Sequence, residues 1–93
     1  MEDRITTDKL EKYFELTTRA LVEVKRNIIK KKEKQAKEII DMASNYLSDA
    51  NFFKEKADLV NAFAALNYAH GWIDSGVRLG MFDVKDNKLF TIR

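Results

Sequence analysis

DLVNAFAALNYAHGWIDSGVRLG, residues 58–80, decides the fold of this chain. Asp58 opens the stretch as an N-cap, because a short carboxylate can accept from a free amide of the first turn. Gly80 closes it, at the position past the last turn where φ turns positive and glycine meets no steric penalty. Between them Leu59, Ala62, Phe63, Leu66, Ala69, Ile73 and Val77 recur every three or four residues and share one helical face. Asn61, Ala65, Tyr68, Trp72 and Leu79 form a second stripe beside it. Together the stripes cover roughly 200° of the wheel, so the spacing predicts a helix over about 58–79 that touches two neighbours, as the central element of a bundle does. Ala62, Ala65, Ala69 and Gly76 lie along the shared ridge, where small side chains let another helix come close.

Upstream, the pattern predicts a helix over about 33–54. Ala36, Ile39, Ile40, Ala43, Tyr46, Leu47, Ala50 and Phe53 share its apolar face, and Lys37, Glu38, Asp41, Asn45 and Ser48 the polar one. The short polar turn Lys54-Glu55-Lys56, read as solvated, folds the two helices back antiparallel. Phe63, Leu66 and Ile73 are then expected to be buried against Ile40, Ala43 and Leu47. A first helix over about 8–27 carries Leu10, Tyr13, Phe14, Thr17, Leu21, Val24 and Ile28 on one stripe. Asp8 with Glu11 resembles a capping box, with Thr6 and Thr7 as rival caps. No glycine or proline enforces a turn after Asn27, so two readings stand: a break near Lys30 to Gln35, or one fused helix about 70 Å long that would need a partner chain to cover it. Past Gly80, Met81, Phe82 and Val84, then Leu89, Phe90, Thr91 and Ile92, flank Asp86-Asn87. They suggest a short extended or hairpin-like tail, packed on the bundle or paired with another chain. The expected architecture is therefore all-α: a three-helix up-and-down bundle with a tail over 81–93, in one domain spanning residues 1–93.

Composition narrows the function classes. The chain has 93 residues, 34% of them charged and 11% aromatic, with no proline and three glycines. That favours long helices over a turn-rich β fold, and the aromatics argue against disorder. With no cysteine, disulfides, thiolate metal sites and thiol catalysis are excluded, in keeping with a reducing, cytoplasmic setting. Met1-Glu2-Asp3-Arg4 leads into no apolar run and is not read as a signal peptide. The longest apolar run, Ala62 to Leu66, is far short of the roughly 20 residues of a membrane helix, so no membrane partner is expected. The net charge of +2 does not by itself call for nucleic acid.

Several residues carry chemistry. His70 is the one histidine, so histidine-rich metal sites are excluded, and no His-x-x-x-His or Glu-x-x-His spacing is present. It reads first as a buried, hydrogen-bonded structural residue, and otherwise as an acid–base group oriented by Asp74 at i+4. Asp74 and Arg78 have i,i+4 ion-pair spacing, and the Arg78 guanidinium matches an anionic ligand. Tyr68 and Trp72 are packing residues unless exposed, in which case they mark a contact surface. Lys25, Arg26, Lys30, Lys31, Lys32, Lys34 and Lys37 crowd the junction of the first two helices. Cations so dense suit phosphate, but no aromatic is interleaved for base stacking, and the lysines also offset a helix macrodipole. No metal or cofactor motif is present.

From Tyr46 onward the residues YLSDANFF (Tyr46 to Phe53), KADLVNAFAALNYAHGWIDSGVRLGMFDV (Lys56 to Val84) and LFT (Leu89 to Thr91) resemble the archaeal domain of unknown function numbered 357. The resemblance is most specific over NAFAALNYAHGWIDSG. One departure is Ala57, where family members tend to carry glycine. The resemblance implies an archaeal, intracellular three-helix bundle and brings no activity, substrate or ligand.

The leading expectation is a non-catalytic helical interaction module, a homo-oligomer or one with another protein partner. The alternative is small-anion or RNA binding through Lys25–Lys37. The third is an enzyme using His70 and Asp74.

Overall fold

A computed structural model describes residues 5–90; Met1 to Arg4, and Thr91 and Ile92 of the tail, lie outside the described residues. Three helices form: α1 (Thr7–Arg26), α2 (Glu33–Glu55) and α3 (Leu59–Arg78). The fold is all-α, and no described helix is long and apolar enough to cross a membrane. The α2–α3 interface is the most extensive, and α1 rests more on α3 than on α2. That makes α3 the central element, as its wide apolar arc requires.

Capping differs at one end from expectation. Thr6, not Asp8, caps α1: its hydroxyl accepts from the Lys9 amide at 3.1 Å. Asp58 caps α3, its Oδ1 accepting from the Asn61 amide at 3.2 Å. Gly80 takes φ +81°, and two reciprocal bonds close the helix, Gly80 N–H to Val77 O (3.1 Å) and Met81 N–H to Gly76 O (2.9 Å). The end of α2 repeats this arrangement without a glycine. Ala57 takes φ +57°, with Ala57 N–H to Lys54 O (3.0 Å) and Asp58 N–H to Phe53 O (2.9 Å).

The chain breaks after Arg26, so α1 and α2 are separate. Asn27 closes α1, with its Nδ2 donating to Glu23 O at 2.7 Å. A turn follows, Lys32 N–H to Ile29 O at 3.0 Å, with Lys31 at φ +75° and its amide held by Glu33 Oε1 at 3.1 Å. Of the two forms expected for the tail, the extended one is seen. Ile28 and Phe82 make an isolated antiparallel bridge, flanked by Ile29 N–H to Met81 O (3.0 Å) and Asp83 N–H to Asn27 O (2.8 Å). The tail then turns at Asp86, whose Oδ1 accepts from the Lys88 amide at 2.9 Å.

The core has two parts. One holds Ala20, Leu21, Val24, Ala36, Ile39, Ala43 and Ile73 with Phe82, Leu89 and Phe90 of the tail. The other, toward the α2–α3 turn, holds Leu10, Ala50, Ala62, Ala65 and Leu66. Leu47 packs against both. Leu66 and Ile73 are fully buried as expected, but Phe63 is only half-buried, because it lies at the edge of α3 where it stacks on Tyr13 at 5.1 Å. The second stripe of α3 divides. Ala65 is buried and Trp72 half-buried, while Asn61, Tyr68 and Leu79 face solvent. Gly76, on the expected ridge of small residues, is taken by the tail: a Cβ there would meet Phe82 at 2.6 Å and Ile39 at 3.0 Å. Lys54 is not freely solvated, since it pairs with Glu11 and lies over the Phe14 ring at 5.3 Å.

Candidate functional site

Along both α1 and α3 a polar pair separates the two parts of the core. Thr17 is fully buried and His70 is 8% exposed. Thr17 Oγ1 lies 3.1 Å from His70 Nδ1, and His70 Nε2 lies 2.7 Å from the Leu89 carbonyl. A carbonyl only accepts, so Nε2 carries the proton and donates to it. In the neutral ring Nδ1 then accepts from the Thr17 hydroxyl. The ring stacks on Tyr13 at 5.8 Å. One imidazole thus joins α1, α3 and the tail with both nitrogens satisfied, and no described buried side-chain polar atom lacks a partner.

The enzyme reading needs Asp74 to orient His70. Its Oδ1 is 4.0 Å from Nε2, beyond hydrogen-bond length, because the Leu89 carbonyl is nearer and takes that proton. Asp74 acts instead on Tyr13. Burial, and then the Asp74 charge, hold the phenol above its ordinary value of 10.0. Tyr13 and Phe63 also line a cleft of about 530 Å³ between α1 and α3, with Lys9, Lys12, Leu16 and Asn67. His70 does not line it. Among the described residues no three His, Asp or Glu side chains gather as a metal site would need.

Tyr68 and Leu79 stand out on the far side of α3, 63% and 69% exposed. With Trp72, Asn67, Gly71, Ser75 and Ile39 they line a groove of about 350 Å³. Tyr68 is held by stacking on Tyr46 of α2 at 5.3 Å. Arg78 is exposed in the last turn of α3. Lys25, Arg26, Lys30, Lys31, Lys32 and Lys34 are all exposed around the α1–α2 linker, where the turn at Lys31 brings them to one end of the bundle. The structure therefore separates the candidates. His70 is internal, Tyr68 and Trp72 share an outer groove, and the cations form an end cap.

Sequence reasoning missed Thr17 as the partner of His70, and Leu89, whose contribution is a backbone oxygen. It also missed Tyr46 as the support of Tyr68. The i,i+3 and i,i+4 spacing that flagged Asp74 sees only one helix, and these partners come from three different elements.

No curated protein and no solved structure matches the chain. The family described as "Protein of unknown function (DUF357)" matches residues 12–82, so the likeness reaches well before Tyr46 and takes in most of α1 as well as α2, α3 and the first residues of the tail. The chain belongs to that family.

Proposed function

We propose that this chain is a non-catalytic helical interaction module that docks through the outer face of α3. The observation that carries the reading is the exposure of Tyr68 and Leu79 beside a groove on a helix face almost free of charge. Within α3 only Asp74 and Arg78 are charged, in a chain that is 34% charged overall. A helix side turned to water normally carries charged residues, and an uncharged, partly aromatic one is the usual mark of a contact surface. Tyr68 is already ordered by Tyr46, so docking loses little side-chain freedom there. His70 supports the same reading, because its nitrogens are committed to Thr17 and Leu89. The test is binding of a fluorescent apolar dye. The wild type should bind it, and Tyr68→Lys with Leu79→Lys should abolish binding with the helical signal unchanged. A dilute, monomeric wild type that binds no dye contradicts the reading.

A second reading rests on the seven exposed cations Lys25, Arg26, Lys30, Lys31, Lys32, Lys34 and Lys37 of the linker end, which suit a phosphate-bearing partner such as RNA. It expects binding to a short RNA at low salt that is lost at high salt. Substituting Lys30, Lys31 and Lys32 by glutamine should weaken it without unfolding the bundle.

A further inference from the structure

The geometry points to a second copy of this chain as the occupant of the α3 face, packed antiparallel about a two-fold axis beside Gly71. This inference rests on the docking face proposed above and names its partner.

Gly71 is the first observation. Glycine in a helix interior is unfavourable relative to alanine, so it calls for a reason. Gly76 has one inside the molecule, the Phe82 ring. Gly71 has none: a Cβ there would meet nothing within 4 Å. It lies open at the middle of the exposed face, where the absence of a side chain matters only to something approaching from outside.

The second observation is self-complementarity. An axis beside Gly71 pairs positions whose numbers add to about 143, so Tyr68 of one copy falls on Ser75 of the other and Leu79 on Ala64. Tyr68 and Leu79 each then meet a small exposed side chain, the requirement for ridges to enter grooves. A two-fold interface needs one patch that fits itself.

Charge fixes the direction. Between Glu23 and Glu38 there are seven cations and three carboxylates, all at the end where α3 finishes. At the opposite end Asp8, Glu11, Glu15, Asp49, Glu55 and Asp58 outnumber Lys9, Lys12, Lys54 and Lys56. Antiparallel packing sets the basic end of one copy beside the acidic end of the other, and it opposes the two α3 dipoles. Parallel packing would set the basic ends together, which costs affinity. A 20-residue helix is about 30 Å long and 10–12 Å wide, a footprint short of the roughly 800 Å² per partner of a standard interface. The dimer is therefore expected to be weak and to form as concentration rises.

The experiment is sedimentation of the full chain over a concentration series, with single-cysteine variants as reporters, since the parent has no cysteine. The wild type should pass from monomer to dimer. Gly71→Ala should melt higher than the parent when dilute, yet dimerise about tenfold more weakly. Leu79→Lys should stay monomeric. Gly71→Cys should oxidise to a covalent dimer. Leu79→Cys should not do so alone, but should cross-link to Ala64→Cys when the two are mixed. Self-linking of Leu79→Cys as readily as Gly71→Cys would overturn the antiparallel arrangement. A wild type that stays monomeric at the highest concentration would overturn the second copy as partner. If that monomer binds the apolar dye through Tyr68 and Leu79, the docking face survives with another occupant; if it does not, both readings fall.

Discussion

Alanine at Gly76 and alanine at Gly71 should change stability in opposite directions, although both glycines lie in α3. Helix propensity alone favours alanine by about 1 kcal/mol at either site. At Gly71 nothing opposes it. At Gly76 the new methyl would lie 2.6 Å from one Phe82 ring carbon and 3.2 Å from another, and 3.0 Å from Ile39. The ring is not free to retreat, because Phe82 is 3% exposed and hydrogen bonds on either side tie its backbone to the linker, Ile29 to Met81 and Asp83 to Asn27. Forcing extra volume into such a site costs about 1–3 kcal/mol, occasionally more. Net of propensity, Gly76→Ala should lose up to about 2 kcal/mol, which at about 4–8 °C per kcal/mol for a domain this size lowers Tm by up to roughly 15 °C. Gly71→Ala should raise it by about 4–8 °C on the same scale. The assay is thermal unfolding followed by helical circular dichroism on dilute samples, where association does not contribute. Phe82→Leu in the Gly76→Ala background isolates the clash: a double-mutant cycle should show favourable coupling of about 1 kcal/mol. If Gly76→Ala melts above the parent, the tail is not clamped on α3 and the role given to Phe82 is wrong.

Ala57→Gly should stabilise the bundle, since Ala57 sits at φ +57°, a conformation that costs a non-glycine residue about 1–2 kcal/mol; after the greater freedom of glycine in the unfolded chain, a Tm gain of a few degrees is the expected reading, and a lower Tm would refute it. Leu66→Ala should cost about 2–5 kcal/mol in denaturant unfolding, because Leu66 is fully buried among Leu10, Ala50 and Ala62; a parent-like midpoint would remove it from the core. Thr17→Val keeps the shape but takes away the hydroxyl facing His70 Nδ1, and should cost about 1–3 kcal/mol for the unsatisfied nitrogen, checked by the same unfolding curve. Tyr13 should ionise above the ordinary 10.0 in an ultraviolet titration. The neutral phenol is favoured in the folded state, so the stability it contributes is intact below pH 10 and is lost as pH rises through the folded pKa; a phenol titrating at or below 10 would contradict its burial beside Asp74.

The helices were legible because each carries a continuous three-or-four-residue pattern, and the expected spans agree with α1, α2 and α3 to within a residue or so at each end. The turns were less so. Glycine is the usual signal of positive φ, and it stands at Gly80, but the other two turns use Lys31 and Ala57. That is why a fused first helix remained open on sequence grounds. The helical wheel located both stripes of α3 but not how far each is covered. Tyr68 and Leu79 share a stripe with buried Ala65, and only the actual positions of α1 and α2 decide which members face water. His70 was readable as a core histidine from its place on the apolar face. Its partners were not, since Thr17 lies 53 residues away and the Leu89 acceptor is main chain. Lys54 looked solvated by composition, yet its stem and charge are used between α2 and α1.

The measurement closest to the central claim is a dilution series of amide nuclear magnetic resonance spectra of the wild-type chain. As concentration rises, the account expects shifts to move at Ala64, Tyr68, Gly71, Ser75 and Leu79 along one face of α3, with Thr17 and His70 in the interior unmoved. Shifts confined to the basic end, or a spectrum that does not change with concentration, would contradict it.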